Sequence, residues 1–330
     1  MRHTRLGRTG LHVSRICLGT MTFGLQCDEA ASRAILDRAA AGGITFLDTS
    51  DVYPLGGSLE TVGRTEEILG RWLDGQRHDF VIATKCFGAM SDKPWDRGLS
   101  RKHILDAIDG SLRRLRTDYV DLYQCHHPDP ETPIDETLRA MDDVVRAGKA
   151  RYVGCSNYHA WQVARALGRS EVLGVARFDC VQPRYNLLFR QIERELLPLC
   201  REEGIGVIPY NPLAGGFLSG KHRRDAGPTA GTRFTLGHAA QRYQERYWRD
   251  REFATVDALR PLAAEAGLTM TELAIAWTLA NPLITSPIVG ASRADQLDDV
   301  LRANEKPLAA DLKARLDELT LEYRWGDDPR

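Results

Sequence analysis

The sequence predicts an α/β chain folded as a (β/α)8 TIM barrel, with a short N-terminal β-hairpin and long loops at the C-terminal face. Three observations predict it. Eight short apolar runs alternate with helical segments between Arg15 and Val289, the order that sets a helical crossover between successive parallel strands. The runs are apolar almost without interruption, as strands covered on both faces must be. No period of about 20–50 residues recurs, which argues against a solenoid. A chain of 330 residues with 43% hydrophobic side chains suits one such barrel, read as a single domain over residues 1–330 with no internal linker.

The elements follow in order. Residues 3–16 predict the hairpin, with Leu6-Gly7-Arg8-Thr9-Gly10-Leu11 as its Gly-flanked turn. Arg15–Thr20 reads as the first barrel strand. Asp28 to Gly42 reads as an amphipathic helix with Ile35, Leu36 and Ala39 on one face, Asp28 as N-cap and Gly42-Gly43 as its stop. Ile44–Asp48 is the second strand, followed by a helix over Thr65–Leu73. Phe80–Lys85 is the third, followed by a helix that opens at Ser100, an N-cap residue, and runs through Leu105, Ile108, Leu112 and Leu115. Then come strand Val120–Cys125, helix Ile134–Ala147, strand Ala150–Cys155, helix Ala160–Leu167, strand Asp179–Gln182 and helix Ile192–Glu203. Gly206–Tyr210 and the short Ser286–Val289 complete the eight strands. Three regions stand outside the repeat: Cys86–Leu99, Asn211–Tyr247 and the tail after Leu319. Long loops in a compact domain commonly carry function or move.

Charge and composition exclude several classes. The net charge is -1 with both signs mixed along the chain, so no basic surplus points to nucleic acid or an anionic membrane. Met1–Arg5 is polar and leads into no apolar signal segment, and no stretch approaches the roughly 18 apolar residues of a membrane span. The seven cysteines form no Cys-x-x-Cys pair and read as buried free thiols in a reducing cytoplasm.

Four titratable residues stand where apolar runs stop: Asp48 and Tyr53 after the second, Lys85 after the third and His126 after the fourth. Neighbouring parallel strands bring them to one end of the barrel. A phenol has an ordinary pKa of about 10; an adjacent ammonium lowers it and makes the phenol a better proton donor near neutrality. Lys85 is placed to supply that charge, Asp48 to pair it, and His126 to hydrogen-bond a substrate oxygen. The set suits protonation of a carbonyl oxygen while a hydride attacks the carbon. A metal is disfavoured, because His126 and His127 are adjacent near a strand end and are expected to point to opposite sides.

Taken together, Leu47-Asp48-Thr49-Ser50-Asp51-Val52-Tyr53, Ile82-Ala83-Thr84-Lys85, Asp121–Asp129 and Gly154-Cys155-Ser156-Asn157 resemble the aldo-keto reductase family, in that order and over most of the chain. The likeness is to its aryl-alcohol-dehydrogenase-like and potassium-channel-β-subunit-like branches. The resemblance implies Tyr53 as acid/base, Lys85 and Asp48 as its tuning pair, and His126 orienting substrate. It also implies a reduced nicotinamide cofactor.

No Gly-x-Gly-x-x-Gly follows a strand, which disfavours a Rossmann site. Gly215–His222 nearly spells a P-loop but ends in His222, where a Ser or Thr must hold Mg²⁺. Its place after the seventh strand suits a pyrophosphate instead. Tyr210 is positioned to stack on a nicotinamide, and Ser156, Asn157 and Gln182 to bind its carboxamide. The resemblance places Asn211, Pro212, Leu213 and Gly215 along the pyrophosphate, and Gly19, Thr20, Met21, Asp48 and Gly290 on the cofactor too. Lys221, Arg233, Ser292, Arg293 and Gln296 suit a 2′-phosphate, which favours NADP(H) over NAD(H). The channel-β-like branch has Glu-Asn where this chain has Asp299-Val300, so Asp299 keeps part of an adenine grip that Val300 cannot share. Phe23, Tyr53, Leu55, Phe87, Trp95, His126 and His127 are expected at the substrate mouth, with Tyr323 and Trp325 from the tail and Gly56-Gly57-Ser58 as a flexible rim. The expected function is NADP(H)-dependent reduction of an aldehyde or ketone to an alcohol. The alternative is a nicotinamide-sensing regulatory subunit with little turnover.

Overall fold

In the computed structural model, which describes residues 1–237 and 239–326, the chain begins with the expected hairpin. Strand β1 (His3–Arg5) pairs antiparallel with β2 (His12–Ser14). Gly7 sits in the left-handed region at φ 56°, and a Cβ there would stand 2.4 Å from the carbonyl oxygen of Gly204. Only glycine lets the turn press so closely on the barrel.

The barrel strands are β3 (Cys17–Gly19), β4 (Phe46–Asp48), β5 (Val81–Cys86), β6 (Val120–Cys125), β7 (Ala150–Ser156), β8 (Cys180–Gln182), β9 (Gly206–Val207) and β10 (Ile288–Val289). They form one parallel sheet in the order β10-β3-β4-β5-β6-β7-β8-β9. Beyond β9 the seam closes through a parallel bridge between Tyr210 and Ile288, with Ile288 N donating to Pro209 O at 2.8 Å. Side chains alternate along each strand. Cys17, Phe46, Ala83, Leu122 and Cys180 fill the barrel interior together with Leu6 and Val13 of the hairpin, which plugs that end. Leu18, Leu47, Ile82, Tyr123 and Val181 face the helical layer.

Six helices lie at or near their expected places: α1 (Glu29–Ala41), α2 (Arg64–Trp72), α3 (Arg101–Leu115), α4 (Ile134–Arg146), α5 (Ala160–Leu173) and α6 (Leu196–Glu203), while α7 (Ala239–Tyr247) forms where a loop was expected. Asp28 caps α1, accepting from Ala31 N at 2.8 Å, and Ser100 caps α3, accepting from His103 N at 3.3 Å. Helix α5 outruns its expected end, stopping only where Gly174 turns left-handed at φ 64°. Helix α6 starts late because residues 191–193 form a separate 3-10 turn.

Helices α8 (Asp250–Glu265), α9 (Met270–Leu279), α10 (Leu297–Glu305) and α11 (Ala310–Leu319) were not marked by the pattern. The reasons are physical. Helix α9 is buried from Glu272 to Leu279, and a helix covered all round has no polar stripe to reveal its period. Helix α8 carries Pro261 in its interior, a residue that normally signals a break. Within the stretch read as the long Asn211–Tyr247 loop, residues 214–219 form 3-10 turns and the last nine form α7.

Candidate active site

The alternation that fills the barrel also builds the site. One inward step beyond the Phe46, Ala83, Leu122 and Cys180 layer come Asp48, Lys85, Gln124 and Gln182. Four polar side chains thus converge at the C-terminal end. Lys85 is fully buried. Its Nζ donates to Asp48 Oδ2 at 2.6 Å, to Thr49 O at 2.7 Å and to the Tyr53 hydroxyl at 3.4 Å. The other Asp48 oxygen accepts from Gln182 Nε2 at 2.9 Å and Gln124 Nε2 at 3.2 Å. Gln124 was not singled out in the sequence, although its place two residues after the inward-facing Leu122 gives it the same face.

Tyr53 lies on the turn after β4, with its N–H donating to Ser50 O at 3.2 Å. Its ring centre is 5.8 Å from that of His126, edge to face at 79°. The four expected residues are therefore brought together. Two details differ from expectation. Burial lifts the Tyr53 phenol above its ordinary pKa; Lys85 pulls it down, and Asp48 adds to the upward push. The lysine thus only moderates an upward shift. Burial also opposes the Lys85 charge, but Asp48 and Tyr53 together hold that ammonium above its ordinary pKa. His126 and His127 do not point apart. Their rings stack at 5.2 Å and 20°, because the strand ends at Cys125 and its alternation ends with it. Among the described residues no group of three or more His, Cys, Asp or Glu is set to hold a metal ion.

His126 is pushed well below its ordinary pKa by burial, then by Lys85 and His127, so the ring is neutral. Its Nδ1 is 3.1 Å from Ser50 Oγ, which is 3.1 Å from Asp51 Oδ1. Burial, reinforced by Glu66, raises Asp51 to about 8 against the opposing Arg114, and Asp51 Oδ2 has no hydrogen-bond partner to stabilise a charge. Below that pH a protonated Asp51 donates to Ser50, and Ser50 donates to His126 Nδ1. The ring hydrogen is then left on the other nitrogen, available to a substrate oxygen. Above it, the charged carboxylate accepts from Ser50 and the chain reverses. Activity is therefore expected to fall as pH rises through about 8. Asp51→Asn, whose amide donates at every pH, should remove that alkaline limb from the kcat/KM profile. An unchanged limb in the variant would dismiss the relay.

Above this floor opens a cavity of about 960 Å³. Tyr53, Leu55, Phe87, His126 and His127 line it, as do Gly56, Gly57 and Ser58 of the rim. Lys85 lies beneath it. Gly19, Thr20, Met21, Asp48, Ser156, Asn157, Gln182 and Tyr210 line it too. So do Asn211, Pro212, Leu213, Gly215 and Lys221, and Arg233, Gly290, Ser292, Arg293, Gln296 and Asp299.

Four residues expected at the mouth are elsewhere. Phe23 is buried in the core between barrel and helices, Trp95 is 54% exposed on its loop, and neither lines the cavity. Tyr323 is buried with its hydroxyl 2.8 Å from Thr255 Oγ1, and Trp325 packs under the Arg194 guanidinium at 4.0 Å. Aromatic character in a loop or tail gives no direction: Phe23 and Tyr323 are taken by packing, while Trp95 and Trp325 stay largely at the surface.

A family model described as the Aldo/keto reductase family matches residues 15–320. The chain belongs to that family. Among its relatives, an uncharacterized oxidoreductase YrpG of Bacillus subtilis is 40% identical over 97% of this chain and 96% of its own. A probable voltage-gated potassium channel subunit beta of Arabidopsis thaliana is 40% identical over 92% of this chain and 91% of its own. A versiconal hemiacetal acetate reductase of Aspergillus parasiticus is 35% identical over 91% and 92%. This aldo/keto reductase is accordingly an oxidoreductase of a family that generally uses NAD(P)H.

The residues of this aldo/keto reductase fit such a cofactor. Asn211, Ala214, Gly215 and Gly216 are all left-handed, at φ 65°, 50°, 69° and 94°; the turn is closed internally by Ala214 N to Asn211 O, Gly215 N to Asn211 Oδ1 and Gly216 N to Leu213 O, so what its glycines offer a cofactor is close approach of the backbone. A Cβ on Gly215 would meet the Tyr243 ring at 2.6 Å, and one on Gly290 would meet Arg233 Nη2 at 3.3 Å. Lys221 is held below its ordinary pKa by burial and by the nearby Arg293 and Arg233. Of these three cations Arg293 is paired, with Asp295 at 3.0 Å, while Lys221 and Arg233 have no acidic partner among the described residues. An anion relieves such crowding.

Some expected contacts are already engaged within the protein. The Gln182 side-chain amide serves Asp48, and the Gln182 backbone carbonyl accepts from Ser156 Oγ at 2.8 Å. Asn157 Oδ1 accepts from the Tyr210 hydroxyl at 2.9 Å. Asp299 accepts from Thr269 Oγ1 at 2.9 Å and pairs with Arg302, while Val300 is buried in the core.

Proposed function

We propose that this oxidoreductase uses NADP(H) to interconvert an aldehyde or ketone and its alcohol, with Tyr53 as general acid and base. The observation that carries the reading is the Tyr53 hydroxyl, 3.4 Å from the Lys85 ammonium, on a cavity that Lys221, Arg233 and Arg293 also line. When bound, the reduced nicotinamide supplies the hydride to the carbonyl carbon. Tyr210, Ser156, Asn157 and Gln182 are assigned to the nicotinamide end. The left-handed 211–216 turn is assigned to the pyrophosphate, and Lys221, Arg233, Ser292, Arg293 and Gln296 to the 2′-phosphate end.

The chain's own residues do the rest. Tyr53, kept protonated by burial, gives its proton to the carbonyl oxygen as negative charge develops there. The Lys85 ammonium stabilises the phenolate left behind, and Asp48 holds that ammonium in place. His126 offers a neutral N–H to the same oxygen and orients the carbonyl. In the oxidative direction the phenolate takes the proton back.

A cytoplasmic setting accords with seven buried free cysteines; among the described residues no helix is long and apolar enough to cross a membrane. A second reading, a nicotinamide-sensing regulatory subunit, draws on the relatives described as channel β subunits. A sensor needs binding but no proton donor, and the donor set is complete here.

The test is a fluorescence titration with NADPH and NADH, followed by steady-state assays on aldehydes, ketones and keto-sugars. NADPH should bind at least roughly tenfold tighter than NADH, a gap of about 1.4 kcal/mol, and Arg233→Met should narrow it. Equal affinities would remove the 2′-phosphate assignment. Tight NADPH binding without turnover of any carbonyl would favour the sensing role.

A further inference from the structure

Two arginines on the cavity wall are not used by anything above. Arg242 and Arg246 lie four apart on α7, so they share one helix face. Both line the cavity that holds Tyr53, His126 and His127. Neither has an acidic partner among the described residues. The carboxylate of their own helix, Glu245, accepts from Gln241 at 2.8 Å. The acidic residues on the cavity wall are all engaged: Asp48 with Lys85, Asp295 with Arg293, and Asp299 with Arg302.

These two cations are distinct from the cofactor set. Of α7, it is Tyr243 that meets the cofactor set. Its hydroxyl accepts from Arg233 Nη1 at 3.2 Å, and its ring covers Gly215. The charges felt by Lys221 are those of Arg293 and Arg233. Arg242 and Arg246 instead act on His127 and Tyr210 at the reacting end, where, after burial, they help hold His127 below its ordinary pKa. Like charges four apart on a helix oppose its formation by a few tenths of a kcal/mol. With no acid to relieve that repulsion, the pair is set up for an anion from outside.

We infer that Arg242 and Arg246 form a subsite for an anionic group on the substrate, so that the carbonyl compound reduced at Tyr53 carries a carboxylate or a phosphate. This rests on the reductase reading and narrows its substrate class. A guanidinium presents paired N–H donors that match either group bidentately. The anion would sit on the α7 wall while the carbonyl reaches toward Tyr53 and His126. His127, neutral and beside His126, is free to accept or donate one further hydrogen bond at the mouth.

The test compares three aldehydes of one shape: 4-carboxybenzaldehyde, 4-formylphenyl phosphate and the neutral methyl 4-formylbenzoate. The wild type should show a kcat/KM at least roughly tenfold higher for one charged aldehyde than for the ester, equivalent to about 1.4 kcal/mol. The preferred one identifies the group. In Arg242→Gln/Arg246→Gln the charged-to-neutral ratio should fall by at least about tenfold, with the loss mainly in KM.

A ratio of about one in the wild type, or one unmoved in the double variant, would overturn the subsite. So would a loss of NADPH affinity in the variant with the aldehyde ratio unchanged, since the arginines would then belong to the cofactor. Binding of terephthalate and phenyl phosphate to the NADPH-loaded protein, read by intrinsic fluorescence, makes the test independent of turnover. Saturable binding that the double variant loses supports the subsite even if no aldehyde is reduced, an outcome that would count against the reductase reading alone. Absence of binding together with absence of charged-substrate preference rejects it.

Discussion

Tyr53→Phe is expected to lower kcat for carbonyl reduction by roughly two to four orders of magnitude, the usual contribution of a positioned general acid, with NADPH binding retained. The change removes one oxygen. The ring keeps its edge-to-face contact with His126, and the cofactor wall does not depend on the hydroxyl. What is lost is the proton donor and the group that Lys85 reaches at 3.4 Å. His126, kept neutral, is a far weaker acid than an imidazolium and does not replace the phenol. A titration of NADPH alongside single-turnover reduction would separate binding from chemistry. Turnover at the wild-type rate would mean that the proton comes from elsewhere.

Lys85→Met is expected to have the largest effect on stability, about 3–5 kcal/mol, the usual cost of removing one partner from a buried ion pair. Lys85 and Asp48 are both buried and 2.6 Å apart. Without the ammonium, Asp48 keeps the two glutamine donors on Oδ1, but Oδ2 faces a methionine. Adding Asp48→Asn should recover much of the stability, because a neutral amide needs no counter-charge and its oxygen still accepts from Gln124 and Gln182. It should not recover activity, because nothing then stabilises the Tyr53 phenolate. Urea unfolding of the three variants measures the first statement and kcat the second. A single variant as stable as wild type would show that the buried carboxylate is neutralised in some other way.

Much of this was legible in the sequence, for reasons that residues make plain. Asp48, Lys85 and His126 could be placed because apolar runs announce strand ends, and parallel strands put those ends together. The same alternation would have yielded Gln124, which was passed over because a glutamine inside an apolar run does not itself suggest proton chemistry. Ser50 and Asp51 belong to the Leu47–Tyr53 motif, but their link to His126 crosses from one strand end to another and exists only in three dimensions. Arg242 and Arg246 were hidden for a different reason. The Gly-rich, polar opening of their segment masks the helix behind it, and without the helix their spacing has no meaning. Helix α9 was silent because it is apolar on every side. Trp95, Tyr323 and Trp325 show the converse error, since a large ring signals burial or contact but not with what.

The hairpin plug and the closing seam share a property with consequences for how the protein is made. Gly7 rests on Gly204, and β3 is flanked on one side by β10. The first twenty residues thus dock on segments that the ribosome delivers some two hundred or more residues later. Until then β3 has an open edge, and the apolar side chains of Leu6 and Val13 have no complete cavity to fill. Contacts so distant in sequence form late and slowly, and an exposed apolar edge invites pairing with other chains. The emerging chain is therefore most vulnerable to aggregation at its own beginning, and is relieved of it only when Ile288 and Val289 arrive.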